Sequence, residues 1–169
     1  MPRNTSFRPR RLTLGLGLAT MPALAAALST TNSDNADLVL ADMALARGDC
    51  RGGTDRYVKA AMSSGEARIS ERATKVASDC QQVMAGSRTA RRWFKLDPQN
   101  AEAAAAVALA AVRLYQPDEA REAILRTHAL GGDEALIKLI GEASDSGGTA
   151  IALDTLRPLL ESKDVSDRL

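Results

Sequence analysis

Residues 91 to 111 read RRWFKLDPQNAEAAAAVALAA, and the reading of this stretch decides the fold. A helical run carrying the chain's single tryptophan, Trp93, reaches Asp97-Pro98 and stops there, because proline cannot continue a helix and holds the residue before it in an extended conformation. The eleven residues from Ala101 to Ala111 then include eight alanines, the strongest helix formers. A run such as Ala103 to Ala106 lets neighbouring backbones approach closely, so bulky side chains on the flanking helix, Trp93 and Phe94 among them, fill the space. Small residues in one layer facing large ones in the next are what close packing of stacked helices requires.

The composition agrees with this reading. Of 169 residues 45% are hydrophobic but only 3% are aromatic, which favours closely spaced helices over a sheet. Outward from the quoted stretch, the pattern is helix after helix with short punctuation. A first pair is expected over about 36–47 and 53–62, separated by Gly48-Asp49. Leu38, Val39, Met43 and Leu45 form the apolar side of the former, and Tyr57, Val58 and Ala61 that of the latter. Ser63-Ser64-Gly65 ends the pair.

A second pair is expected over about 66–79 and 81–96. Ile69, Ala73, Val76 and Ala77 repeat at helical spacing in its first helix, and Val83, Met84, Ala90, Trp93 and Phe94 form the buried set of its second. Gly86-Ser87 is a soft point there, since a mid-helix glycine costs about 1 kcal/mol relative to alanine. The third pair covers 101–114 and 119–129. Pro117 suits the first turn of the new helix, and Asp118 and Glu119 suit its positively polarised end. Gly131-Gly132 then leads to helices over 134–144 and 149–162. Eight helices in antiparallel pairs, one pair every 30 to 35 residues or about that, read as a helical repeat array.

KLDPQN followed by AEAAAAVALAAVRLYQPDEAREAIL resembles a tetratricopeptide repeat, with small residues at Ala108 and Ala120, an apolar residue at Ile124 and Pro98 closing the previous unit. ALARGD from Ala44 to Asp49, with Tyr57 and Ala60, looks like a degenerate earlier copy. The stretch from ISERATKVA through RRWFKLDPQN is similar to exported bacterial tetratricopeptide proteins. The resemblance covers residues 36 to 130 and fades over 131 to 163. It departs from the pattern at Gly53 and Thr127, where alanine is usual. At Trp93 the second unit carries either a large residue at a small site or a one-residue insertion.

The resemblance implies an all-α fold, a right-handed α-α superhelix (a TPR-like solenoid) of about four helical hairpins over 36–163, with 164–169 a tail or the start of a missing repeat. It also implies that the first helix of each pair lines a concave groove that holds an extended peptide or a partner helix. Carried onto the third unit, the groove residues are Glu102, Ala105, Leu109, Val112 and Arg113; on the second they are Arg68, Glu71 and Lys75. Such charges are otherwise solvated or paired at i, i+4, as Glu71 and Lys75 are placed to be.

The N-terminus reads as a signal peptide over 1–27. MPRNTSFRPRR is a basic region, LTLGLGLAT opens an apolar stretch, and cleavage after Ala25 or Ala27 satisfies the small-residue preference. An uncleaved anchor fits less well, because Leu12 to Leu28 is 17 residues and contains Pro22 and two glycines. Residues 28–35, LSTTNSDN, are polar and read as a linker. Without the first 27 residues, 18 Lys+Arg face 21 Asp+Glu, about −3 in net charge, so electrostatics lends no support to a nucleic-acid partner. The expected location is periplasmic or secreted.

No phosphate-binding loop, dinucleotide fingerprint, G-x-S-x-G or H-E-x-x-H occurs. His128 is the single histidine, which leaves no candidate triad. It is expected near a helix end, where imidazolium meets the negative end of the dipole. Arg88, Arg91, Arg92 and Lys95 surround Trp93 and read as the polar face of an amphipathic helix in preference to a cation-π or phosphate site. No catalytic residue, cofactor or metal is expected.

Export makes an even cysteine count an invitation to a bridge. Cys50 starts the second helix of unit one and Cys80 ends the first helix of unit two, at the same edge of an antiparallel stack. That placement accommodates a disulfide, and equally two separate small buried residues. The expected function is an exported protein-interaction module that binds a protein or peptide partner in the cell envelope, with no membrane insertion after signal cleavage. The alternative, prompted by an end that lacks a polar capping helix, is the helical scaffold portion of a larger cell-envelope enzyme.

Overall fold

The computed structural model describes residues 36–145, together with Ala150, Asp154 and Arg157. The signal peptide expected over 1–27, the linker 28–35 and the tail 164–169 lie outside the described residues. So does most of the helix expected over 149–162, of which those three residues are described and helical. The described chain is all-helical: α1 (36–46), α2 (Cys50–Ser63), α3 (Ala67–Asp79), α4 (Val83–Leu96), α5 (Ala101–Arg113) and α6 (Pro117–Asp145).

α6 is two helical arms. Gly132 breaks it with φ 65° and ψ −159°, a left-handed backbone that a side chain would strain. α4 runs unbroken through Gly86-Ser87, so the soft point expected there is absent. α2 starts at Cys50, three residues before the expected Gly53, because the side chain of Asp49 accepts the amide of Gly52 and caps the helix earlier. α4 starts at Val83 rather than Gln81, whose φ of 56° is not helical.

Three turns repeat one geometry. The amide of Asp49 donates to the carbonyl of Ala44 at 2.9 Å, that of Gln82 to Ala77 at 2.8 Å, and that of Gln116 to Ala111 at 2.9 Å. The preceding residue is left-handed each time: Gly48, Gln81 and Tyr115, with φ of 78°, 56° and 56°. Their amides reach Leu45, Ser78 and Val112. This is the paired-bond helix stop in which a left-handed residue satisfies the last carbonyls. The acceptors Ala44, Ala77 and Ala111 are spaced 33 and 34 residues apart. On this spacing Trp93 stands where Ala60 and Thr127 stand in the neighbouring hairpins.

A left-handed conformation costs a non-glycine residue about 1 to 2 kcal/mol. Tyr115 is 77% exposed, so it gives little burial in return. Tyr115→Gly and Gln81→Gly are each expected to raise the unfolding free energy by about 0.5 to 1 kcal/mol, after allowing for glycine's larger unfolded-state entropy. Urea denaturation checks this; a loss in both would contradict the turn geometry.

The helices pack on their neighbours in sequence, α2 on α3, α3 on α4, α4 on α5 and α5 on α6, with α2 also touching α4. Ala90, Val107, Ala108, Ile124, Leu136 and Leu139 build one core, with Phe94 against it, and Ala41, Tyr57, Ala61 and Ala73 build another. Trp93 is buried, as the opening stretch demands. Small residues allow the close approach. A Cβ on Gly53 would lie 2.6 Å from the Leu45 side chain and 3.3 Å from the Ala41 carbonyl oxygen, so a methyl group there displaces Leu45, which is why alanine is missing at this site.

Val39, Met43 and Met84, expected on buried faces, are exposed instead. On α1 the face against α2 is taken by Ala41, Ala44 and the ion-paired Asp37, which leaves Val39 and Met43 turned outward. Met84 lies in the first turn of α4, where the half-buried Val83 takes the inner position.

Polar contacts join successive helices. The Tyr57 hydroxyl donates to Asp42 Oδ1 at 2.5 Å and accepts from Arg72 Nε, while Arg72 Nη2 reaches Asp42 at 2.9 Å, so α1, α2 and α3 share one cluster. Arg91 grips Glu119 with two bonds of 2.6 Å between α4 and α6. Both carboxyls are held below their ordinary values, Asp42 chiefly by the Tyr57 hydrogen bond and Glu119 chiefly by that from Arg91. A carboxyl whose folded value is depressed stabilises the fold above its unfolded value, and the contribution is lost as pH falls through the folded value. Stability is therefore expected to decline below about pH 4. Tyr57→Phe and Arg91→Gln should each flatten part of that decline; an unchanged acid limb in both variants would contradict the assignment.

Candidate binding groove

α3, α5 and the second arm of α6 line a cavity of about 460 Å³, and α4 closes its floor. The helix pattern explains the hollow. Where these helices face each other they carry small residues, Ala77 on α3, Ala101, Ala105 and Ala106 on α5, Ala135 on α6, with Gly86 beneath on α4. Leu109, Leu139 and Trp93 supply the bulk. Charged groups from α3, α5 and α6 stand at the lining: Lys75, Glu102, Arg113, Glu134, Lys138 and Glu142, three of each sign. Lys75 pairs with Glu71 at 2.5 Å and Lys138 with Glu102 at 3.5 Å, while Arg113 donates to Ser78 Oγ at 3.4 Å. The Glu71 hydrogen bond is the main cause of the raised pKa of Lys75.

Of the groove residues expected from sequence, Lys75, Glu102, Ala105, Leu109 and Arg113 line this cavity. Arg68 and Glu71 do not. The cavity meets α3 only along its C-terminal half, while Arg68, in the first turn, points to solvent and pairs with Glu66, and Glu71 is drawn to Lys75. Val112 is buried against Ala111 and Ala120 instead. Glu134, Lys138 and Leu139, outside the set expected from sequence, also line the cavity. The repeat period finds two members of that wall: one 34-residue step beyond Ala101 and Ala105 stand Ala135 and Leu139, and all four line the cavity.

The basic residues around Trp93 behave as the polar face of an amphipathic helix. Arg91 is engaged by Glu119, Arg92 donates to the Ser64 carbonyl at 2.8 Å, and Arg88 and Lys95 are exposed. His128 meets Asp133 at 2.9 Å across the break in α6. Among the described residues no group of three or more metal-ligating side chains converges, and no helix is long and apolar enough to cross a membrane.

Cys50 and Cys80 are bridged, with Cα atoms 5.5 Å apart. Of the two arrangements the sequence allowed, the structure has the disulfide. Cys50 is exposed and Cys80 half-buried. The bridge ties the first residue of α2 to the C-cap of α3, close to the cavity residues Ser78, Gln82 and Val83.

No family model matches the chain. No curated protein matches it either.

Proposed function

We propose that the chain is an exported, TPR-like right-handed superhelix that binds a peptide or a partner helix in the groove between α3, α5 and the second arm of α6. One observation carries the reading: the wall helices present alanine and glycine to a hollow large enough for several side chains, so the occupant supplies the bulk. A site of this volume with an apolar floor and a few charged groups suits an organic ligand. A preformed surface of this kind loses little entropy on binding. The turns repeating at 33 and 34 residues support the repeat reading. A disulfide, and described helices none of which can span a membrane, are compatible with an oxidising compartment outside the cytosol.

Site-specific photocrosslinking from position 109 in the cell envelope tests the proposal. The expected result is a defined protein adduct at 109 that is absent from the exposed position 121. Ala105→Phe, which fills the hollow, should abolish it. Adducts of equal yield at 109 and 121, or none at either, would overturn the proposal.

A further inference from the structure

The disulfide sits at the weakest of the three repeated turns. α2 is capped by Asp49, which accepts the Gly52 amide at 2.8 Å, and the left-handed position of its turn is glycine. α6 starts with Pro117, Asp118 and Glu119, all suited to a helix N-terminus. α4 has none of these supports: its N-cap Gln82 makes no side-chain cap bond, its first turn has no acid, and Gln81 holds a left-handed conformation. What fixes this turn from outside is the bridge at Cys80 and the Gln82 side chain, which donates to the Cys50 carbonyl at 3.2 Å. Ser78, Gln82 and Val83, on either side of Cys80, line the cavity.

We infer that the Cys50–Cys80 bridge is a redox-sensitive stay for one end of the groove: its reduction releases the α3–α4 turn while α5 and the first arm of α6 remain folded. The reductant is a dithiol. One thiolate attacks the exposed Cys50 sulfur, the S–S bond breaks, and Cys80 leaves as a thiolate and takes up a proton. The second thiolate of the reductant then displaces Cys50 from the mixed disulfide. Two electrons pass from the dithiol to the bridge, and the dithiol ends as a disulfide. The Cys50 thiolate leaves at the N-terminus of α2, where the helix dipole favours it. Release stays local because each hairpin rests on its neighbours alone, and stability in such arrays is close to a sum of unit and interface contributions. The consequence for ligand binding rests on the groove proposed above, but the device itself does not.

Hydrogen exchange on the full chain, oxidised and after treatment with dithiothreitol, tests the inference without a ligand. In the reduced protein the amides of Gln82 and Gly86, bonded to Ala77 and Gln82, are expected to exchange at least tenfold faster, with α5 and the first arm of α6 changing less than threefold. Gln81→Gly supplies the missing glycine and keeps the Gln82 bond to Cys50, and should recover about threefold of the protection lost on reduction. Acrylamide quenching of Trp93, the sole tryptophan, should rise on reduction. Equal acceleration throughout the chain, unchanged protection at 82–86, or failure of Gln81→Gly to recover any protection in the reduced protein would each overturn the inference.

Discussion

Replacing Trp93 with alanine is expected to lower the unfolding free energy by about 3 to 5 kcal/mol, the usual range for deleting a large aromatic from a core. Against a total of about 5 to 15 kcal/mol for an ordinary domain, this brings the protein close to unfolding. The size of the effect follows from position. Trp93 is 3% exposed and shares the cavity lining with Ala77 on α3 and Ala101, Ala105 and Ala106 on α5, whose short side chains cannot fill the space it would leave. Thr127 occupies the corresponding place one repeat later, and Thr127→Ala removes far less volume and should cost much less. Denaturant titration of the two variants side by side checks the contrast. A loss below about 1 kcal/mol for Trp93→Ala would mean that the alanine helix is not packed on it.

Removing the bridge gives the second large effect. Cys50→Ser with Cys80→Ser is expected to cost about 3 to 4 kcal/mol, by the loop-entropy account of a closure spanning 30 residues. The closed loop contains α2 and α3, so the loss falls on the first two hairpins. Thermal unfolding followed by exchange or by site-specific labels should show α2–α4 melting earlier than α5 and α6, where the parent protein shows a smaller gap. The same titration in dithiothreitol should leave the double variant unchanged while bringing the parent down to it. A double variant as stable as the oxidised parent would contradict the loop-closure account.

The helices were legible because alanine content, proline stops and 3.6-residue periodicity act locally. Asp97-Pro98 marks the end of α4 and Pro117 the start of α6, as the sequence requires. Burial on the first helix was less legible. Val39 and Met43 fit an apolar stripe as well as Ala41 and Ala44 do, and hydrophobicity alone does not say which stripe faces α2. Close approach at Gly53 decides it, since a Cβ there would lie 3.3 Å from the Ala41 carbonyl oxygen and 2.6 Å from the Leu45 side chain. Of the residues placed by the repeat register, Glu102, Leu109 and Arg113 line the cavity. Arg68 and Glu71 stand outside the cavity, because a register places a residue on a helix face but not along the length of the hollow. The α6 wall was missed for a different reason: resemblance fades after residue 130, although the 34-residue spacing carries on to Ala135 and Leu139. The bridge stayed open in the sequence because spacing brings two cysteines to one edge without fixing the distance between them.

The proposed superhelix requires successive hairpins to stack with one repeated geometry. Cys50, Val83 and Pro117 are the first residues of α2, α4 and α6, and Cys80 and Leu114 are the C-caps of α3 and α5. If the stacking repeats, Val83 and Leu114 meet across the second and third hairpins as Cys50 and Cys80 meet across the first and second, where the Cα separation is 5.5 Å. A bridge forms only when such Cα atoms lie within about 7 Å. Val83→Cys with Leu114→Cys, oxidised in air and mapped by non-reducing digestion and mass spectrometry, is predicted to yield a second disulfide, 83 to 114, beside an intact 50 to 80. Free thiols at 83 and 114 with the native bridge in place would contradict the repeat, and with it the groove.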